Sequence, residues 1–193
     1  MLATKERRLS NIVLMFCLLA MGATLGGCGI NTIPTLQEKA KASWSEVLNQ
    51  YQRRADLIPN LVETVKGYAA HERGTLEAVI NARNMAVQVG SAGPAQQAEA
   101  EGVLTQALGR LFALAEAYPN LKANENFIAL QNELGNTENK IAYARQFYNS
   151  AIQTLNNAAQ SFPTNLIAGM AGVHPRPYFE AVGAERDDVN VRF

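Results

Sequence analysis

The sequence predicts an all-α fold: an antiparallel up-and-down four-helix bundle with a long C-terminal helix and an irregular C-terminal tail. Three observations predict it. Apolar residues recur at steps of three and four along most of the chain, as one buried helix face requires, and strand-like alternation persists nowhere. The composition is rich in Ala, Leu, Asn, Gln and Glu, and only 7% of residues are aromatic, which suits helices at most positions. Proline and glycine gather in a few short clusters, and short connections make antiparallel neighbours the default.

The chain opens with Lys5, Arg7 and Arg8 against one Glu6, followed by the apolar run IVLMFCLLAMGATL. A basic end before an apolar core has the order of a secretory signal. The run from Ile12 to Leu25 is about 14 residues, short of the ~20 that a bilayer core needs. Small residues Gly26 and Gly27 then precede Cys28. Leu-Gly-Gly-Cys resembles a bacterial lipobox, in which the cysteine sulfur carries the lipid, palmitate included. The expectation is a signal peptide over 1–27, a lipidated anchor and spacer over 28–34, a helical domain over 35–162 and a tail over 163–193. Membrane lipid is then a partner through acylated Cys28. The alternative is an uncleaved single-pass inner-membrane anchor. Gly29 is not the aspartate that resembles an inner-membrane retention signal, so the expected location is the outer membrane, facing the periplasm.

Cys17 and Cys28 are the only cysteines, so the domain beyond the anchor has no thiol for a disulfide or a metal. Removing residues 1–27 takes three basic and one acidic group from the 17 and 17 of the chain, leaving 14 and 16. That balance offers no electrostatic footprint for nucleic acid.

Leu36, Ala40, Trp44, Val47, Tyr51, Ala55 and Ile58 mark the first helix, begun at Pro34. Pro59 lacks an amide donor and biases Ile58 away from helical geometry, which predicts a break or kink there. The second helix is then expected to run to about Val89, apolar at Leu61, Val62, Val65, Ala69, Leu76 and Ile80. Gly90, Gly93 and Pro94 punctuate the chain before a third helix carrying Leu104, Leu108, Leu111, Ala115 and Tyr118. Pro119 ends it, and Asn120 is placed to cap the fourth. The fourth helix keeps its seam from Phe127 through Leu134, Thr137, Ile141, Tyr148 and Leu155 to Phe162, a mean step of about 3.5 residues, which is the seam of a left-handed bundle or coiled coil. Pro163, Pro175, Pro177 and several glycines exclude a long helix after it, although LIAGMAG can add a turn or two. Phe179, Val189, Val191 and Phe193 are spaced as in an extended tail that folds back; a mobile tail is the alternative.

The strings QRRADLIPNLVETVKGYAAHE, ARN at Ala82 to Asn84, YPNLKANENF, ELGNTENKIAYARQFYN and FPTNLIA resemble the LemA family of bacterial membrane-associated helical proteins. The resemblance runs in family order over nearly the whole chain beyond the anchor. It implies a four-helix bundle outside the cytoplasmic membrane and no catalytic residues. Many family members carry an N-terminal span where this chain offers a lipobox.

Within the expected second helix, Asp56, Asn60, Glu63, Gly67, His71 and Gly74 fall on one narrow stripe opposite the apolar face. A solvated face, a partner-docking face and a divalent-cation site are the readings, although the spacing matches no defined ligand motif, and no metal is assigned. Glu72 and Arg83 point toward the apolar side, where an unpaired charge is expensive, so partners such as Glu133, Glu138 or Arg145 are expected. His174 sits among prolines with no second imidazole nearby. No nucleophile elbow, Gly-rich phosphate loop or zinc-binding His-Glu pair occurs. The expected function is therefore non-enzymatic and without a cofactor: a lipid-anchored envelope scaffold that binds another envelope protein. The competing class is a small-ligand or divalent-ion-binding envelope module.

Overall fold

A computed structural model describes Met15, Phe16 and residues 31–180, apart from the Ser91 side chain. The predicted signal, Cys28, and Val189, Val191 and Phe193 lie outside the described residues. Among the described residues the regular structure is entirely helical. It comprises α1 (Thr32–Lys66), α2 (Arg73–Gln88), a 3-10 turn (Val89–Ser91), α3 (Pro94–Ala115), the single turn α4 (Pro119–Lys122), α5 (Glu125–Gln160) and α6 (Thr164–Met170). Two compact units are distinguished: residues 42–150 with 177–180, and residues 31–41 with 151–176.

Several boundaries differ from the sequence expectation. Pro59 neither breaks α1 nor ends it, because α1 continues as one helix to Lys66. A proline at position 59 cannot donate to the carbonyl of Ala55, four residues back. That carbonyl instead accepts from the Arg83 Nε of α2 at 3.2 Å. A side chain of the next helix thus takes the place of the missing amide. The interruption falls later, at residues 67–72, where Gly67 weakens the helix and Tyr68 and Ala69 both donate their amides to the Val65 carbonyl. Because α2 starts afresh at Arg73, its buried positions are Leu76, Val79, Ala82 and Ala86, and Ile80 is exposed.

The remaining punctuation obeys local chemistry. Gly93 adopts a φ of 109°, which disfavours a side chain, and Pro94 starts α3 where a missing amide costs nothing. Asn124, not Asn120, caps α5: its Oδ1 accepts from the Phe127 amide at 2.9 Å. Asn120 instead lies inside α4. The α5 seam stays buried from Phe127 to Leu155, but Phe162 lies beyond the helix end at Gln160 and is 81% exposed.

In the 42–150 unit, one apolar core joins Leu61 and Val65 of α1, Val79 of α2, Leu104 and Leu111 of α3, Leu121 of α4 and Phe127 of α5. Contacts descend α5 as they ascend α1, from Trp44 on Tyr148 to Arg53 with Glu133 and Tyr68 with Asn124, so this pair is antiparallel. Glu72 with Tyr118 and Ala86 with Gln97 set the same sense for α2 and α3. Phe179 is buried against Trp44, and Asn149 both donates to its carbonyl and accepts from its amide. The folded-back reading of the tail therefore holds as far as Phe179.

The 31–41 and 151–176 unit buries Ile33, Ala40, Ile152, Leu155 and Ala168. Asn156 clamps Arg176 in the same two-way manner, donating to its carbonyl and accepting from its amide. Gly172, at a φ of 65°, ends α6, with the Val173 amide on the Ala168 carbonyl and the Gly172 amide on that of Gly169, the Schellman pattern.

The Pro59 account gives an expected outcome. Arg83→Met orphans a part-buried carbonyl and should cost about 1–3 kcal/mol. In a Pro59→Ala background, where an alanine restores the amide, the same substitution should cost far less. Urea unfolding of the four chains measures this, and equal costs in both backgrounds would contradict the role given to Arg83.

Candidate functional site

The ionisable side chains with strong structural constraint lie inside the 42–150 unit. Arg54 is only 3% exposed and Glu101 2%. One guanidinium nitrogen of Arg54 lies 3.1 Å from Glu138 of α5 and 3.4 Å from Glu101 of α3. Its other terminal nitrogen donates to Thr105 Oγ1 at 2.7 Å. Gln97 Nε2 donates to Glu101 at 3.0 Å and to the Ala86 carbonyl at 3.2 Å. The Ala86 carbonyl is a pure acceptor, so the amide orientation is fixed, and Gln97 Oε1 is left without a protein donor.

A removed partner here would strand a buried charge, which is costly. Burial pushes the Glu101 carboxyl up to about 7, against the opposing pull of Arg54. Nearby, Tyr51 accepts from Arg145 Nε at 2.9 Å, and burial raises its hydroxyl to about 12. Arg145 also stacks over Tyr51 and Phe179. A cavity of about 90 Å³, lined in part by Tyr51, Gln97 and Glu101, opens beside this network. That is room for on the order of three waters.

Apolar periodicity alone does not mark Arg54 or Glu101 as buried, although the sequence carries a signal for both. Arg54 continues the apolar steps Val47, Tyr51, Arg54, Ile58 and Leu61, and Glu101 continues Gln97, Glu101, Leu104 and Leu108. A charge occupying a seam position is the readable sign of a buried ion pair.

The expected pairings of Glu72 and Arg83 take other forms. Both are half-buried. Glu72 accepts from the Tyr118 hydroxyl at 3.2 Å, and this bond raises the tyrosine's pKa. Arg83 serves the Ala55 carbonyl and Asn84. Glu133 pairs with Arg53, Glu138 with Arg54, and Arg145 bonds Tyr51.

The six stripe residues are all exposed, but they do not share one helix. Asp56, Asn60 and Glu63 ride the last turns of α1, Gly67 and His71 lie in the connection, and Gly74 opens α2. Asp56 accepts from Gln52, and Glu63 meets Lys66 at 3.5 Å. Asn60 and Glu63 face α5 across a shallow groove of about 670 Å³ that Asn126, Leu130 and Glu133 complete. A Cβ at Gly74 meets nothing within 4 Å, and one at Gly67 makes ordinary contact with the Thr64 carbonyl at 3.4 Å. Among the described residues, no group of three or more His, Cys, Asp or Glu could hold a metal ion. His174 is exposed.

Sequence comparison decides the family. The LemA family profile matches residues 43–193. This chain belongs to the LemA family. Magnetosome protein MamQ 2 of Paramagnetospirillum magneticum is 28% identical over 174 residues, covering 78% of this chain and 64% of the relative. MamQ of Magnetospirillum gryphiswaldense is 27% identical, covering 77% and 64%. Protein LemA of Metamycoplasma hominis is 27% identical over 141 residues, covering 72% and 63%. The chain thus spans under two thirds of the length of these relatives. No helix among the described residues is long and apolar enough to cross a membrane.

The Glu101 shift has a signed consequence. Its folded pKa lies above the unfolded value, so its favourable contribution is complete below about 4.5 and is lost as pH rises through about 7. The stability of Glu101→Gln relative to the natural chain should therefore increase between those limits and level off above them. Urea midpoints across pH 4 to 9, an interval of about five units, check this. A difference that does not vary with pH would contradict it.

Proposed function

We propose that this LemA-family chain is a non-enzymatic, lipid-anchored scaffold of the bacterial cell envelope, built as an up-and-down four-helix bundle. It is held by acylated Cys28 and faces the periplasm from the outer membrane. The observation that carries this reading is where the ionisable groups of the family domain go. Arg53, Arg54, Glu101, Glu133 and Glu138 pair between helices, while Arg83 and Arg145 bond a backbone carbonyl and a tyrosine. Such groups fix a shape by holding helices in register.

The Lys/Arg end, apolar run and Gly-Gly-Cys supply the anchor. The magnetosome designation belongs to MamQ. The docking face is the exposed polar corner of Asp56, Asn60, Glu63, Gly67, His71 and Gly74, with the groove at Asn60 and Glu63 as its floor. Its occupant is a second envelope protein.

The test uses the full chain in its own host. A photo-crosslinking residue at Asn60 or Glu63 should give one discrete protein adduct, and Gly67→Leu should reduce it without unfolding the domain, since exposed changes cost within about 0.5 kcal/mol. Leu134→Ala, in the core, should cost about 2–5 kcal/mol. Cys28→Ser should leave an unprocessed precursor. Unfolding by Gly67→Leu, or normal maturation of Cys28→Ser without acyl mass, would overturn the corresponding part of the reading.

A further inference from the structure

The end of the unit formed by residues 31–41 and 151–176 carries an unusual surface. Phe162 is 81% exposed, Leu166 61% and Met170 91%. They recur every fourth residue, which sets Leu166 and Met170 one turn apart on the same face of α6, with Phe162 in the turn that leads into it. Single exposed apolar residues are ordinary, but three large ones so close in sequence, two of them on one face of α6, are of the kind that marks an interaction surface.

The patch is held in place. Ala168 is buried on the opposite side of α6, and the Thr164 hydroxyl at its start donates to the Ala158 carbonyl, with the Ser161 carbonyl also within hydrogen-bond distance. The Schellman cap at Gly172 and the Asn156–Arg176 clamp fix the chain that leaves it. The face of α6 that points outward is therefore set by the fold.

Two further facts select the occupant. The first is charge. No Asp or Glu occurs between Glu138 and Glu180, so no carboxylate interrupts the segment that bears the patch. Among the described residues of this unit, Glu38 is the single acid, against Lys39, Lys41 and Arg176. A chain with balanced charge overall thus has a basic unit, complementary to anionic headgroups. The second is position. α1 begins at Thr32 in this same unit, four residues after Cys28, and that length of chain reaches at most about 14 Å.

We propose that Phe162, Leu166 and Met170 form an interfacial membrane-contact surface that lays α6 into the headgroup region of an anionic bilayer. The proposal rests on the membrane-anchored reading above. It differs from the anchor in depth: the side chains enter the interface, and nothing in α6 spans it.

The experiment uses the full chain in vesicles of phosphatidylethanolamine and phosphatidylglycerol that contain a lipid with a photoactivatable diazirine in its acyl chain. Flotation reports anchoring, and peptide mapping after irradiation reports contact. The expected result is adducts on the peptide spanning residues 161–176, several-fold fewer when the vesicles are purely zwitterionic. Leu166→Asp with Met170→Asp should remove most of those adducts while the chain still floats. A chain that floats but carries no adducts there, or whose adducts survive the double substitution, overturns this proposal alone. Protection of the segment by a second copy, seen as a protein crosslink through Leu166 in place of lipid adducts, also overturns it. A chain that does not float overturns the anchored reading and this one together.

Discussion

The buried guanidinium of Arg54 is the constraint to which the 42–150 unit is fitted. A cation that is 3% exposed must be compensated on the spot or it destabilises the fold heavily. The compensation comes from two different helices, with Glu101 and Thr105 on α3 and Glu138 on α5. Sliding either helix along α1 by one residue would move a partner by about 1.5 Å along its axis and around it by a large angle. Apolar contacts within the core tolerate such slips far better than a charge-assisted bond does. The polar network therefore specifies register, while the apolar seam supplies most of the burial.

The next residue along α1 shows the same logic in the backbone. Ala55 has a carbonyl that Pro59 cannot serve, and Arg83 of α2 serves it instead. A residue expected to break the helix thereby becomes a point of attachment between helices. Together, Arg54 and Ala55 connect α1 to α2, α3 and α5 within a single helical turn. Arg53, Arg54, Arg83, Glu101, Glu133 and Glu138 are accounted for by attachments of this kind between helices.

Much of this is legible in the residues. The stepping of Leu104, Leu108 and Leu111, the Gly93–Pro94 start and the Pro119 stop locate α3 well, because local sequence determines caps and periodicity. The long α5 seam is equally plain. What escapes the sequence is non-local. The continuity of α1 through Pro59 draws on a side chain 28 residues beyond Ala55 in sequence, and no local rule contains Arg83. Treating the stretch from Pro59 to Val89 as one helix places Asp56, Glu63, His71 and Gly74 on a single stripe, when a connection actually divides them. The individual exposures survive this error, because each residue is outward-facing on its own element; their common helix does not. The buried Arg54 and Glu101 escape for a simpler reason: a periodicity built from apolar residues alone passes over charges standing in the same register.

The claim most exposed to test is that Arg54 and Glu101 act as one unit. A double-mutant cycle of Arg54→Met and Glu101→Leu, followed by urea unfolding about one unit above the Glu101 pKa, near pH 8, isolates their coupling. The account predicts that Arg54→Met alone costs about 3–5 kcal/mol, because it leaves the buried Glu101 carboxyl without its cation, and that adding Glu101→Leu restores most of that loss. Additive losses in the double variant would contradict it, and would mean that the helices find their register without this pair.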